Sequence, residues 1–302
     1  MAVIYTVTLN PSLDHTLWLE DVRPGEVNRA GREALTPGGK GINVSVLLSR
    51  LGMENTAMGF RAGPTGELLE ALLHREGCRC DLVEIPGQTR VNTKLKSGRE
   101  TDINAPGPEI PPEACEHMVQ RLSRIKNGDF LVLAGSVPPS APGDLYSRLI
   151  RLARERGALA VVDAEGDLLL DALPEHPFLI KPNRDELGGL FGRKLESLSE
   201  VEEAALDLRC RGARNVLVSL GGEGAFFLPE KGTGSYLPAP HGRIIHTVGA
   251  GDSMVAGFLY GWIRFSRNTA EAFRFSICCG SATAFSTGLA GREKIWELYA
   301  SH

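Results

Sequence analysis

Several features that would assign a protein to a class at once are missing from this chain. There is no basic surplus: 33 Lys and Arg stand against 37 Asp and Glu, a net charge of −4, with a pI near 6.0. Nucleic-acid binders usually carry such a surplus, so that partner is not expected, though local basic clusters can still hold small anions. Cysteine is sparse. The six residues, at 78, 80, 115, 210, 278 and 279, show no Cys-x-x-Cys spacing and no His-Cys cluster of the zinc-site kind. The opening "MAVIYTVTLNPSLD" reads as a strand running into a turn rather than a secretory leader. Thiols without such a leader are expected to be reduced, in the cytoplasm. The apolar run "MVAGFLYGWI" is too short to span a bilayer, so no membrane partner is expected.

The common nucleotide and hydrolase signatures are absent as well. "GGKG" is not a Walker loop, because Lys40 is followed by Gly and no leading glycine has the required spacing. No G-x-G-x-x-G follows a strand, and no G-x-S-x-G elbow occurs. Low-complexity linkers and internal repeats are lacking too.

What is present is alternation. The 302 residues, 42% of them hydrophobic, suit two domain-sized units or one large α/β domain with an appendage. "VIYTVT", "FLVLAG", "ALAVVD", "PFLIKPN" and "NVLVSLG" are compact apolar runs, as expected of strands buried on both faces of a parallel sheet. Amphipathic stretches ending in Gly lie between them, as in "TGELLEALLHREG" and "GDLYSRLIRLARERG". The pattern predicts a doubly wound α/β core, helical from residue 251 nearly to the end. Segments of about 16–36 and 89–104 break the rhythm with alternating polar residues around Pro-Gly and Ser-Gly-Arg. They predict one small antiparallel sheet standing off the core as a lid. The polar turns "NPSLD", "AGSVPP", "KPNRDE", "SLGGEG" and "VGAGD" follow the strands, where open α/β sheets bind ligands.

One of these turns carries a chemical signal of its own. In "HTVGAGDSMVAG" a helix beginning near Gly249 would expose unpaired N–H groups, and small residues would let an anion approach them. Asp252 sits in that first turn. Alone, it reads as a residue that caps or charges the helix start. Beside an anion hole a carboxylate needs a purpose, and accepting a proton from an attacking hydroxyl is one.

Seven motifs now fall in order: "TLNPSLD", "PGGKGINVS", "NAPGP", "LAGSVPP", "KPNRDE", "SLGGEGA" and "TVGAGDSMVAGF". Through them the chain resembles, over nearly its full length, the phosphofructokinase-B group of ribokinase-like sugar kinases. Within that group it is most similar to the kinases of fructose 1-phosphate and tagatose 6-phosphate. The resemblance implies one kinase domain over residues 1–302 with a three-layer, Rossmann-like α/β core of mainly parallel sheet. It also implies a β-sheet lid, a homodimer built through that lid, and ATP with Mg²⁺ as donor.

Residue by residue, the resemblance makes Asp252 the catalytic base and Gly249, Ala250 and Gly251 the anion hole. Asp14, Gly38, Gly39 and Asn43 would bind sugar hydroxyls. Lys40, Arg90 and Ser136 would contact the substrate phosphate, with Arg29 of the lid in the same role. Lys181, Asn183 and Glu186 would meet ATP phosphates, Asn183 and Glu186 holding a hydrated Mg²⁺ through its waters. Ser219, Gly221 and Gly224 would line the nucleotide, and Gly280 and Ser281 the adenine. Cys278 and Cys279 read as small core residues. His246 departs from the family pattern, which often has Asp there, and reads as a turn residue.

The implied reaction is phosphorylation of fructose 1-phosphate to fructose 1,6-bisphosphate. Tagatose 6-phosphate and fructose 6-phosphate stay open as acceptors, as does an unphosphorylated sugar or nucleoside. A non-catalytic sugar or nucleotide sensor on the same fold is the alternative of another class. Retention of Asp252 behind Gly-Ala-Gly speaks against it.

Overall fold

The computed structural model describes residues 2–98 and 100–302. Among them thirteen strands are formed: β1 (Ile4–Thr8), β2 (Ser12–Trp18), β3 (Arg32–Gly38), β4 (Asn55–Arg61), β5 (Arg79–Glu84), β6 (Arg90–Lys96), β7 (Glu100–Ile103), β8 (Phe130–Ala134), β9 (Leu159–Asp163), β10 (Leu179–Ile180), β11 (Val216–Ser219), β12 (Ala225–Leu228) and β13 (Ser235–Leu237). The helices are α1 (Lys40–Arg50), α2 (Gly63–Arg75), α3 (Pro112–Leu122), α4 (Leu145–Glu155), α5 (Asp167–Ala172), α6 (Arg184–Leu190), α7 (Leu198–Cys210), α8 (Ala250–Arg264), α9 (Thr269–Ala284) and α10 (Arg292–Ser301).

Nine strands form the main sheet in the order β13-β12-β11-β10-β9-β8-β1-β4-β5. From β11 to β5 all pairings are parallel, and only β12 and β13 add on antiparallel. The five apolar runs picked out in the sequence are β1 and β8 to β11, though "PFLIKPN" pairs over only Leu179–Ile180. Two of the remaining strands have weaker signals. β4 carries Asn, Thr and Gly, and β5 carries three charged residues.

Strand alternation divides the core between the two faces of this sheet. Ile4, Phe130, Val132 and Val161 pack with α1, α8, α9 and α10 through Leu47, Phe258, Phe273 and Ile295. Val7, Leu131, Leu133 and Val162 pack with α3, α4 and α7 through Met118, Leu149 and Leu208. The result is a three-layer α/β/α core, as the ribokinase-like resemblance implied. Cys278 and Cys279 are fully buried in the first of these layers, and all six cysteines are free thiols. Among the described residues no helix is long and apolar enough to cross a membrane.

A second sheet, ordered β3-β2-β6-β7, stands apart. Both rhythm-breaking segments contribute to it, but it is not purely antiparallel. β2 and β6 run parallel at its centre, flanked by antiparallel β3 and β7. β2 and β6 come from separate segments of the chain, so no hairpin fixes their direction. β2 also begins at Ser12, inside the "NPSLD" turn.

Candidate active site

The register of the small sheet builds one end of the site. Asp14 of β2 lies opposite Asn92 of β6, and Ser12 opposite Arg90. Side chains two apart share a face, so Ser12 and Asp14 face the cavity together with Arg90, Asn92 and Lys94. The Asp14 carboxylate accepts from Ser12 Oγ at 2.8 Å and Asn92 Nδ2 at 3.1 Å, and pairs with Lys94 Nζ at 2.7 Å. Gly38 sits behind it. A Cβ there would lie 2.5 Å from Asp14 Oδ1, so only glycine leaves the carboxylate its place. The Arg90 guanidinium donates to Asn10 O at 2.9 Å and Ala105 O at 3.2 Å. Burial lowers its pKa against the opposing charge of Asp14.

The centre of the site lies where α1 and α8 meet the ends of β9 and β10. Gly249 takes the left-handed φ of +80° at the start of α8, a conformation that favours glycine. The Ala250 N–H already donates to Thr247 O at 3.1 Å. The N–H groups of Gly251 and Asp252 follow it in a helical turn that offers no intrahelical acceptor. Asp252 is buried, and its Oδ2 accepts from Asn43 Nδ2 at 2.7 Å. Burial lifts its carboxyl to about 6, helped by the charge of Asp163 and opposed by Asn43, Lys181 and Lys40. A poised carboxylate of this kind suits a general base near neutrality.

Lysines and carboxylates surround it. Lys181, after β10, is buried, with its Nζ 3.4 Å from Asp163 Oδ1. Lys40 Nζ lies 3.0 Å from Glu165 Oε1, 3.6 Å from Asp163 and 3.8 Å from Glu186. Burial would lower the Lys40 pKa, but these three carboxylates outweigh it and raise it. The Lys40 hydrogen bond lowers Glu165 in turn. Asn183 caps α6 in a reciprocal box: Glu186 N donates to Asn183 Oδ1 at 2.7 Å, and Asn183 N donates to Glu186 Oε2 at 2.8 Å. Burial raises the Glu186 pKa over the opposing pull of Asn183, Lys181 and Lys40.

That box occupies the Asn183 oxygen and one Glu186 oxygen, leaving Glu186 Oε1 toward Lys40. Among the described residues no group of three or more His, Cys, Asp or Glu has metal-holding geometry. A hydrated Mg²⁺, which needs only one or two carboxylates, fits this donor set; a dedicated metal cage does not.

The charged and polar side chains described above line one cavity of about 1870 Å³, room for two ligands by comparison with typical pockets of roughly 300–1,000 Å³. Asp14, Gly39, Lys40, Asn43, Arg90 and Ser136 line one part of it. Lys181, Asn183, Glu186, Ser219, Gly221, Gly224, Gly280 and Ser281 line another, with Gly249, Ala250, Gly251 and Asp252. Two of the site residues predicted from the sequence do not line it. Gly38 is buried behind Asp14. Arg29 is exposed on the loop between β2 and β3, where residues 23–33 are all exposed and nothing apolar anchors the chain. His246 is also absent from the lining; its buried Nδ1 has no hydrogen-bond partner, and burial lowers its pKa.

The sequence reading missed Asn92, Lys94, Asp163 and Glu165, which line the cavity too. Asp163 had a visible signal, since it ends the apolar run "ALAVVD" at the carboxyl edge of the sheet. Lys94 had none, because its partner Asp14 is fixed by the pairing of β2 with β6.

Known proteins share this architecture. Residues 7–295 match the family model described as pfkB family carbohydrate kinase. A 1-phosphofructokinase of Bacillus subtilis is 42% identical over 98% of this chain and 97% of its own. A D-tagatose-1-phosphate kinase of Bacillus licheniformis is 38% identical over 97% and 96%. The crystal structure of phosphofructokinase-2 from Escherichia coli in complex with fructose-6-phosphate superimposes with a TM-score of 0.92, at 31% identity, over 100% of this chain and 99% of that one. Every segment that builds the cleft falls within these matches, and the chain belongs to the pfkB family of carbohydrate kinases.

Proposed function

We propose that this protein is an ATP-dependent ketohexose phosphate kinase that converts fructose 1-phosphate to fructose 1,6-bisphosphate. One observation carries the reading: the buried Asp252 carboxylate stands at the mouth of α8, in the same cavity as the Asp14–Lys94 cluster and the glycine loops. The two curated relatives named above both carry a 1-phosphate in their names, which favours a sugar phosphorylated at C1.

In this reading the sugar hydroxyls bind Asp14, Gly39 and Asn43, and the phosphate meets Arg90, Ser136 and Lys40. The far hydroxymethyl points to Asp252. ATP lies along Lys181, Ser219, Gly221 and Gly224, its adenine against Gly280 and Ser281. Its γ-phosphate meets the N–H groups of Gly249, Gly251 and Asp252 and the dipole of α8, the Ala250 N–H being spent on Thr247 O. Asp252 takes the hydroxyl proton as the oxygen bonds to the γ-phosphorus and the bond to ADP breaks. Helix N–H groups and Lys181 stabilise the charge that develops. Asn183 and Glu186 would hold Mg²⁺ through its waters, and the ion, when bound, supplies further neutralising charge.

The whole chain acts as one kinase unit, with the small sheet as lid over the sugar. Lid closure excludes water, so ATP hydrolysis without sugar is slow. The outer face of that sheet, bearing Leu35, Val91 and Ile103 at 38%, 38% and 57% exposure, supports a homodimer through the lid. Six unpaired thiols suit a cytoplasmic enzyme.

The test is ADP release with fructose 1-phosphate, tagatose 1-phosphate, fructose 6-phosphate, tagatose 6-phosphate and unphosphorylated fructose side by side. The highest kcat/KM is expected for fructose 1-phosphate. A clearly higher value for another sugar would replace the substrate. Sugar-independent ATP hydrolysis at the same rate would remove the lid-gated mechanism, and no turnover with any sugar would leave a sensor.

A further inference from the structure

Asp163 is the least accessible charge in the cavity wall. Its side chain is 1% exposed, and neither carboxylate oxygen has a hydrogen-bond partner. Such a group destabilises a fold unless something offsets its desolvation. Two ammonium groups approach it, Lys181 at 3.4 Å and Lys40 at 3.6 Å. Lys40 has Glu165 closer, at 3.0 Å. Among the described residues Asp163 is the only carboxylate within 4 Å of the buried Lys181.

The backbone fixes this arrangement. Asp163 closes β9 in register with Ala134, and its carbonyl accepts from Gly135 N at 3.0 Å. The Lys181 N–H donates to Val162 O at 3.2 Å on the same strand. Lys181 then reaches Gly251, where a Cβ would stand 3.1 Å from its Nζ. Asp163, Lys181 and the first turn of α8 thus form one chain of contacts ending beside Asp252.

We infer that Asp163 is a positioning residue for the phosphoryl transfer: its buried carboxylate holds the Lys181 ammonium against Gly251, next to Asp252. The inference rests on the reading of Asp252 as base and extends it to how that base is tuned. The Asp163 charge works against ionisation of Asp252, and the Lys181 charge works for it. The other groups facing Asp252 are Asn43 and Lys40 of α1, with Glu165 and Glu186 acting through Lys40. Tyr146 of α4 feels the Asp163 charge but spends its hydroxyl on Gly135 O at 3.1 Å.

Opposite charges give opposite signs, and a role in folding alone would not. In Asp163→Asn, Asp252 loses a like charge, so the acid limb of kcat/KM moves to lower pH by about one pH unit. In Lys181→Met it loses an opposite charge, and the limb on the residual rate moves to higher pH. Asp163→Glu keeps the charge and returns the limb toward wild type. All profiles use the same sugar phosphate and ATP, so ionisation of the substrates cancels in the comparison.

An unmoved limb in Asp163→Asn, or shifts of the same sign in the Asp163→Asn and Lys181→Met variants, would overturn the inference. Should Asp163→Asn not fold alone, it is made together with Lys181→Met, which removes both buried charges; the plateau rate should equal that of Lys181→Met alone, and a further loss would overturn the inference. Asp252→Asn is run alongside. If it keeps the wild-type rate, the reading of Asp252 as base falls. If it loses the rate while the Asp163→Asn limb stays put, only the role of Asp163 falls.

Discussion

Asn43 and Asp252 stand 209 residues apart in the chain and meet through a 2.7 Å hydrogen bond from Nδ2 to Oδ2. The bond aims the carboxylate and partly offsets the burial that raises its pKa to about 6. Asp252→Asn keeps the shape and the acceptor oxygen but cannot take a proton. A rate loss of roughly 10²–10⁴-fold in kcat is expected, with ATP binding retained. In the wild-type enzyme kcat/KM should fall as pH drops through about 6, because Asp252 gains a proton there. Steady-state kinetics across pH 5 to 8 check both.

The same residue makes a prediction about stability. A carboxyl with a folded pKa above its unfolded one is penalised when charged. The penalty is absent below the unfolded value of 3.8, grows as pH rises through about 6, and is full above it. Asp252→Asn escapes it, so the variant should be the more stable protein at pH 8, by roughly 1–3 kcal/mol. The advantage should vanish toward pH 4. Thermal unfolding at both pH values reads it, and a variant less stable at pH 8 would refute it.

Lys94 is expected to matter for the sugar and not for ATP. Its 2.7 Å pair with Asp14 is largely shielded from water, so breaking it costs more than a surface ion pair. Lys94→Met should raise KM for the sugar phosphate about tenfold or more, through a loss of ~1.5–3 kcal/mol. KM for ATP should stay near wild type. Equal increases for both substrates would remove the assignment.

The outer face of the small sheet predicts the assembly. Leu35 and Ile103 fall on the same face as Val91 by the registers that join β3, β2, β6 and β7. Apolar residues exposed together on one face mark an interaction surface. Light scattering should find a dimer for the wild type and a monomer for Ile103→Glu combined with Leu35→Glu. A wild-type monomer, or a dimer that survives both charges, would exclude this interface.

Much of the molecule is written locally. Buried parallel strands need continuous apolar runs, so β1, β8, β9 and β11 stand out in one dimension, and so does the Gly-Ala-Gly-Asp turn that starts α8. β4 and β5 do not, because their strand character comes from neighbours supplied by tertiary packing. The site divides along the same line. Asp252, Lys181 and Asn183 belong to short motifs whose backbone geometry the nearby residues dictate. The Lys94–Asp14 pair depends on β2 meeting β6 in parallel, and the burial of Asp163 depends on α1, α8 and β10 closing over it. Charge interactions act through space, across a sequence separation of 80 from Asp14 to Lys94 as well as 18 from Asp163 to Lys181. Their strength is set by the desolvation that only the packed structure imposes. A sequence can therefore name the ionisable groups of this cleft, but the fold decides which of them face each other and at what pH each one is charged.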